Sequence, residues 1–281
     1  MHKEVVAQKG ISGMRLSLEP IWPFSRPQRN SGALAVALSL TLTAFPAFSA
    51  DVDPIERPPS AQTGKALYEQ ACVFCHGLGG QGDGPDAFYL GPYSAPRPRD
   101  LTSGEFKFRS TPSGSLPTDE DLLRTLRMGI PGYMPSFQSL SDMDRRHLVA
   151  YLKTLSPAFQ EGKVQSIALP PGPIPATPES IQQGKALYVA LDCMSCHSEQ
   201  GDSPDGLVAQ GKLQDRRGLT LRPRDLTKPS SYKNGHSASD IARTILTGLD
   251  GSPMASYLEA LEPHPEQVWH LVNYILSLSS P

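Results

Sequence analysis

The 281-residue sequence predicts an all-α fold built from two tandem domains of the same design. Three observations predict it. Short segments return in the same order along the chain, apolar residues within each copy follow helical spacing, and no stretch of useful length alternates as a strand does. The 28 prolines and 24 glycines predict long loops between the helices.

The first fifty residues have the composition of a targeting segment. Arg26 and Arg29 precede an uncharged run from Gly32 to Phe48, and small residues and then an acidic stretch follow. This order predicts a cleaved signal peptide at residues 1–50 and export to the periplasm. An uncleaved anchor is the alternative, because a run of this length lies near the lower limit for a bilayer span. No membrane span is expected in the mature chain.

The charge of the mature chain disfavours nucleic acid as a partner. Residues 1–50 hold five of the 26 basic and two of the 28 acidic side chains, which leaves a formal charge of −5. Binding to phosphate requires a basic face. This balance favours another protein as the partner.

The remaining chain contains two tandem copies of one module. Gly64–Tyr68 returns as Gly184–Tyr188, and Arg97–Thr102 returns as Arg222–Thr227. Five prolines between Leu169 and Pro178 predict a stiff, extended linker. The expected division is a first domain at 51–160, a linker at 161–178 and a second domain at 179–281.

Each module is expected to contain three main helices. In the first module they are predicted at 64–72, from an N-cap at Thr118 to Gly129, and at 141–155. In the second they are predicted at 182–191, from an N-cap at Ser239 or Ser237 to Gly248, and at 265–278. Loops rich in glycine and proline fill the intervals.

The four cysteines lie in two strings of the form C-x-x-C-H. They are Cys72, Cys75 and His76 in the first module and Cys193, Cys196 and His197 in the second. Residues i and i+3 of a helical turn face the same way, so both thiols can bond one porphyrin while the histidine binds its iron. Two covalently bound haem c groups are therefore expected. A four-cysteine zinc site or two disulfides are the alternatives, but neither explains the histidines.

A methionine is expected to be the second axial ligand of each iron. Met134 follows His76 by 58 residues, and Met254 follows His197 by 57, each in a stiff loop with glycine and proline. Met128 and Met143 have no counterparts and are expected to be packing residues. The aligned pair His147 and His270 leaves a bis-histidine alternative, although both are better explained as partly buried helix residues.

Matched prolines and arginines flank the expected haem sites. Arg99 and Arg224 are expected to bind haem propionates, or else to be surface residues. Pro98 and Pro223 are expected to offer a carbonyl oxygen to Nδ1 of the ligating histidine.

In these motifs the chain resembles the class I cytochromes c, as a tandem diheme member. The resemblance covers about residues 60–157 and 180–279. It implies a fold in which the first helix of each module crosses the last through a small residue against an aromatic, here Gly64 with Tyr151 and Gly184 with Tyr274. The stretch from Phe106 to Arg109 and the linker depart from the general pattern.

The resemblance implies a soluble periplasmic electron carrier, with redox proteins as donor and acceptor and no catalytic residues. One alternative is a tightly bound electron-transfer subunit of a periplasmic oxidoreductase complex. Another is a diheme enzyme such as a peroxidase, which needs an iron with an open coordination position; the matched methionines argue against it.

Overall fold

A computed structural model describes residues 58–88, 97–160, 164–203 and 211–279. The predicted signal peptide lies outside these residues. Within them, no helix is long and apolar enough to cross a membrane. The same residues contain helices, loops and two isolated β-bridges but no named strand, so the all-α prediction is confirmed.

The two halves repeat the same order of helices. The first half contains α1 (Ala61–Ala71), α2 (Val73–His76), α3 (Asp119–Met128) and α4 (Asp142–Leu152). The second half contains α5 (Pro178–Ala190), α6 (Met194–His197), α7 (Ala238–Thr247), α8 (Leu258–Leu261) and α9 (Gln267–Ser277). Short 3₁₀ turns lie at Pro85–Phe88, Pro157–Gln160 and Pro229–Ser231.

Helices α3 and α7 each begin at a residue whose side chain caps the helix, and each ends at a glycine. Thr118 caps α3 in a reciprocal capping box with Asp121, and the helix ends at Gly129, whose φ is +67°. Ser237, not Ser239, caps α7. Helix α4 ends three residues earlier than predicted, and helix α9 begins two residues later than predicted. Periodicity is a weak guide at helix ends because the ends fray.

Replacing Thr118 by alanine is expected to lower the free energy of unfolding by about 1 kcal/mol. The hydroxyl accepts the Asp121 N–H at 3.1 Å, and the Asp121 carboxylate accepts the Thr118 N–H at 2.9 Å. Denaturant unfolding of the variant measures the loss. Ser139→Ala, in the exposed loop before α4, is the matched control, and an equal loss in both variants would contradict the capping role.

The first and last main helices of each half cross at a glycine. A Cβ added to Gly64 would overlap the carbonyl oxygen of His147 and lie 2.9 Å from Cβ of Tyr151. A Cβ added to Gly184 would likewise overlap the carbonyl oxygen of His270 and lie 2.7 Å from Cβ of Tyr274. The two backbones approach this closely only because glycine has no side chain, as the resemblance implied.

Each crossing is completed by a pair of tyrosines. The rings of Tyr68 and Tyr151 lie 5.1 Å apart, and those of Tyr188 and Tyr274 lie 5.2 Å apart. Each half has its own apolar core around this pair. The predicted linker packs on the second core through Leu169 and Ile174. These contacts, in addition to the prolines, hold the linker in place.

The chain from Glu56 to Pro281 is one compact unit, and the two halves meet at a polar seam. At its centre the fully buried Arg109 guanidinium donates to Asp250 Oδ1 at 2.8 Å and to the Thr247 carbonyl oxygen at 2.7 Å. The Asp250 carboxylate also accepts from the Ser113 hydroxyl and the Gly114 N–H. A buried charge is tolerated only when it is paired in this way.

A second group of contacts extends the seam. Arg124 donates to the Asn234 side-chain oxygen at 2.8 Å and its carbonyl oxygen at 2.6 Å, and it pairs with Asp240 at 2.7 Å. Lys233 lies over the Tyr133 ring, 4.1 Å from its centroid. These contacts join the helix α3 side of the first half to the loop before α7 and the start of α7 in the second.

Candidate functional site

The two cysteine strings occupy the same position in each half. Helix α1 ends at Ala71, directly before Cys72, and helix α5 ends at Ala190, three residues before Cys193. The short helix α2 or α6 carries the second cysteine and ends at the histidine. The Tyr68 hydroxyl donates to the Gly77 carbonyl oxygen at 2.7 Å, and the Tyr188 hydroxyl donates to that of Ser198 at 2.8 Å. These bonds hold each string against its helix crossing.

The cysteines do not form either of the alternative sites. No disulfide joins any two of the four cysteines. Among the described residues, which include every cysteine, no cluster of histidine, cysteine and carboxylate side chains could hold a metal ion. The structure therefore brings no four-cysteine zinc site together across the two halves.

Each string opens onto a cavity in its own half. The first cavity has a volume of about 210 Å³ and is lined by Cys72, Cys75, His76, Met134 and apolar side chains of α3 and α4. The second has a volume of about 470 Å³ and is lined by Cys193, Cys196, His197, Met254 and apolar side chains of α7 and α9. Each cavity thus has two thiols, one imidazole and one thioether.

A backbone carbonyl orients each histidine. His76 Nδ1 lies 3.4 Å from the Arg99 carbonyl oxygen, and His197 Nδ1 lies 2.9 Å from that of Arg224. A proton on Nδ1 leaves the lone pair on Nε2, the atom that would bind iron. Burial lowers the pKa of both histidines, although the bond to the carbonyl raises it, so the neutral form that ligates a metal is favoured.

The assignment of this carbonyl to the prolines is wrong. The acceptor belongs to the next residue, Arg99 or Arg224. The Pro98 carbonyl oxygen instead accepts from the Arg217 guanidinium at 2.6 Å, across the seam. Both prolines still line the cavities, as do both arginines.

Equivalent turns present Met134 and Met254. The Ile130 N–H donates to the Met134 carbonyl oxygen at 2.8 Å, and the Leu249 N–H donates to that of Met254 at 2.9 Å. Both methionines are half-buried. Met128 and Met143 line neither cavity and are 44% and 38% exposed, so the expectation that they pack in the core is wrong. Each lies on the solvent side of its helix.

The aligned histidines His147 and His270 lie away from both cavities. His147 Nδ1 accepts the Ser60 N–H at 2.7 Å, and His270 Nδ1 lies 2.8 Å from the Ser180 hydroxyl oxygen. Both are half-buried helix residues, as expected. The structure does not bring them to a position from which they could ligate iron.

The two arginines differ in their surroundings. Arg99 pairs with Glu105 at 2.8 Å, and its side chain is only 24% exposed. Arg224 has no ion pair within the described ranges. Two cavity-lining lysines, Lys107 and Lys233, were not predicted. The signal for Lys107 in the sequence was its place in the stretch from Phe106 to Arg109, which departs from the general pattern of the family.

The cavity chemistry fits covalently bound haem. Paired thiols can form thioether bonds, a neutral histidine with Nε2 free can bind iron, and the apolar walls suit a porphyrin ring. Cationic side chains at the cavity margins suit its propionates. These features define a class of protein that carries one covalent haem in each of two α-helical domains.

Comparisons with known proteins agree with this class. The family model described as cytochrome c oxidase, cbb3-type, subunit III matches residues 59–152, and the model described as cytochrome c matches residues 181–279. A solved chain of the Kuenenia stuttgartiensis reducing HAO-like protein complex Kustc0457/Kustc0458 is 35% identical, with a TM-score of 0.72 over 80% of this chain and all of that one. Among curated proteins no significant match is found.

The chain belongs to the diheme c-type cytochromes. It has two tandem cytochrome c domains and two covalently bound haem c groups. Cytochromes of this type are extracytoplasmic.

Proposed function

We propose that the protein is a periplasmic electron carrier in which each haem iron is bound by a histidine and a methionine. His76 and Met134 would ligate the first iron, and His197 and Met254 the second. The observation that carries the proposal is the matched pair of histidine and methionine in the lining of each cavity. The haem supplies one-electron redox chemistry, and the thioether ligand favours its reduced form.

The chain's own residues support transfer rather than catalysis. With a histidine and a methionine bound to each iron, neither iron would offer a position to a substrate, so a peroxidase would first have to lose a methionine. We propose cleavage of residues 1–50 on export, and domains at 51–160 and 179–281 joined by the linker at 161–178.

The thioether bonds to the haems would be carried by Cys72, Cys75, Cys193 and Cys196. Arg99 and Arg224 would face the haem propionates.

A potentiometric titration with visible spectra tests this ligation. Two low-spin haems that titrate reversibly at positive potentials are expected in the whole protein. Met134→Ala and Met254→Ala should each turn about half of the haem high-spin and lower the potential of that haem. Met128→Ala and Met143→Ala, at exposed methionines outside the cavities, are the controls.

Two results would contradict the proposal. A high-spin haem in the unaltered protein would leave an iron open and favour the enzyme. Low-spin spectra that persist in both cavity variants would remove methionine as the ligand.

The second candidate is an electron-transfer subunit of a larger complex. It is favoured by the 35% identity to a chain whose structure is that of a protein complex. Exposed apolar side chains near the attachment strings, Phe74 at 51% and Leu78 at 77%, also suit a protein partner. Gel filtration of the native protein from its own source distinguishes a free monomer from a stable assembly.

A further inference from the structure

The two cavities share part of their lining. Lys107 and Phe108 line the cavity of the first half and also that of the second. These residues lie between Glu105 and Arg109, both of which bond across or along the seam. The buried pair of Arg109 and Asp250 fixes this stretch of chain immediately next to Phe108.

The Lys107 ammonium is a half-buried cation that no carboxylate of the described residues pairs with directly. In the described part of the chain it makes no ion pair or hydrogen bond. Burial and the neighbouring charge of Arg99 lower the pKa of Lys107 to about 8, although the Asp215 and Glu105 carboxylates oppose the shift. The nearby Glu105 carboxylate is already bonded to Arg99 at 2.8 Å and Arg216 at 2.6 Å.

Lys233 approaches the same place from the second half. It lines the second cavity and lies over the ring of Tyr133, which lines the first. Burial and the neighbouring charges of Arg224 and Lys107 lower the pKa of Lys233 to about 7. Two desolvated cations thus lie at the junction of two haem cavities, an arrangement that is costly unless anions are bound there.

We propose that Lys107 and Lys233 form a shared binding site for haem propionate carboxylates, with Lys107 facing both haems, so that the reduction potentials of the two haems depend on a common charge. This site rests on the presence of both haems, as the proposed function does, but not on the axial methionines. The carboxylates supply the negative charge that both lysines lack, and each ammonium donates hydrogen bonds to them.

A positive charge beside a haem favours the reduced state, because reduction adds an electron to the ring and iron. Removal of the Lys107 charge should therefore disfavour reduction of both haems. A unit charge about 12 Å away in a medium of effective dielectric about 20 changes an equilibrium roughly tenfold. The ratio of reduced to oxidised haem at a fixed ambient potential is thus expected to fall roughly tenfold at each site.

The test is a potentiometric titration of the whole diheme protein carrying Lys107→Met, with each haem followed by its spectrum. Reduction should become harder at both haems, whereas Lys107→Arg, which keeps the charge, should restore it. Lys65→Met, at a lysine that is 58% exposed and pairs with Glu69, is the control and should leave both unchanged. A shift at one haem only, at neither, or of equal size in the arginine variant overturns the proposal.

Lys233→Met provides a second, independent variant if Lys107→Met does not fold. It should disfavour reduction of the second haem more than the first, because Lys233 lines only the second cavity. No change at the second haem would overturn the shared site. Normal low-spin spectra with unshifted potentials would reject this site alone, whereas high-spin spectra in the unaltered protein would reject the proposed function.

Discussion

Asp250→Asn is expected to lower the free energy of unfolding by about 3–5 kcal/mol. The substitution keeps the shape of the side chain but removes the charge that faces the fully buried Arg109 guanidinium. Both carboxylate oxygens accept hydrogen bonds, from Arg109, Ser113 and the Gly114 N–H. The asparagine amide group would therefore place its NH2 donor against at least one of these donors. Denaturant unfolding followed by circular dichroism measures the effect.

Arg216→Ala is the matched control for the seam. It removes an ion pair with Glu105 whose arginine is 77% exposed, so the expected loss is below about 1 kcal/mol. Similar losses in the two variants would show that burial of the Arg109 pair does not contribute to stability.

Gly184→Ala is expected to destabilise the chain by about 3 kcal/mol. In an exposed helix the same change would stabilise by about 1 kcal/mol, so the sign itself is informative. The new Cβ would overlap the backbone carbonyl of His270, and backbone cannot move aside as a flexible side chain can. Helices α5 and α9 would have to separate, which loosens the contact between Tyr188 and Tyr274.

Gly79→Ala is the control for the helix crossing. Its added Cβ would find its nearest neighbour, the Gln81 side-chain oxygen, at 3.6 Å. Its stability should change by less than about 0.5 kcal/mol. If Gly184→Ala were equally harmless, the close crossing of α5 and α9 would not depend on glycine.

Features common to both halves could be predicted from the sequence. The cysteine strings and the Thr118 cap depend on residues near in sequence, and the repeat shows which residues correspond. The glycine crossings were implied by the family resemblance. The pattern alone does not choose between Ser237 and Ser239 as the cap of α7, because two serines two positions apart both satisfy it. Local chemistry is sufficient for elements of this kind.

The seam could not be predicted in this way. Arg109 and Asp250 are 141 positions apart, and neither has a counterpart in the other half, so periodicity and repetition carry no information about their contact. The prediction of which carbonyl orients His76 was wrong for a similar reason. Choosing Arg99 over Pro98 depends on where a loop turns, and the sequence pattern does not show this; the Pro98 carbonyl oxygen accepts from Arg217 of the other half instead.

The duplicated halves do not contribute equally to their two sites. Among the described residues, the first cavity is lined by the first half alone, whereas the second takes Lys107 and Phe108 from the first half. A substitution at Lys107 or Phe108 therefore alters the wall of both cavities, whereas one at Met254 alters the second cavity alone. The second cavity is consequently incomplete without the first half, and a second half produced by itself would lack this part of its wall.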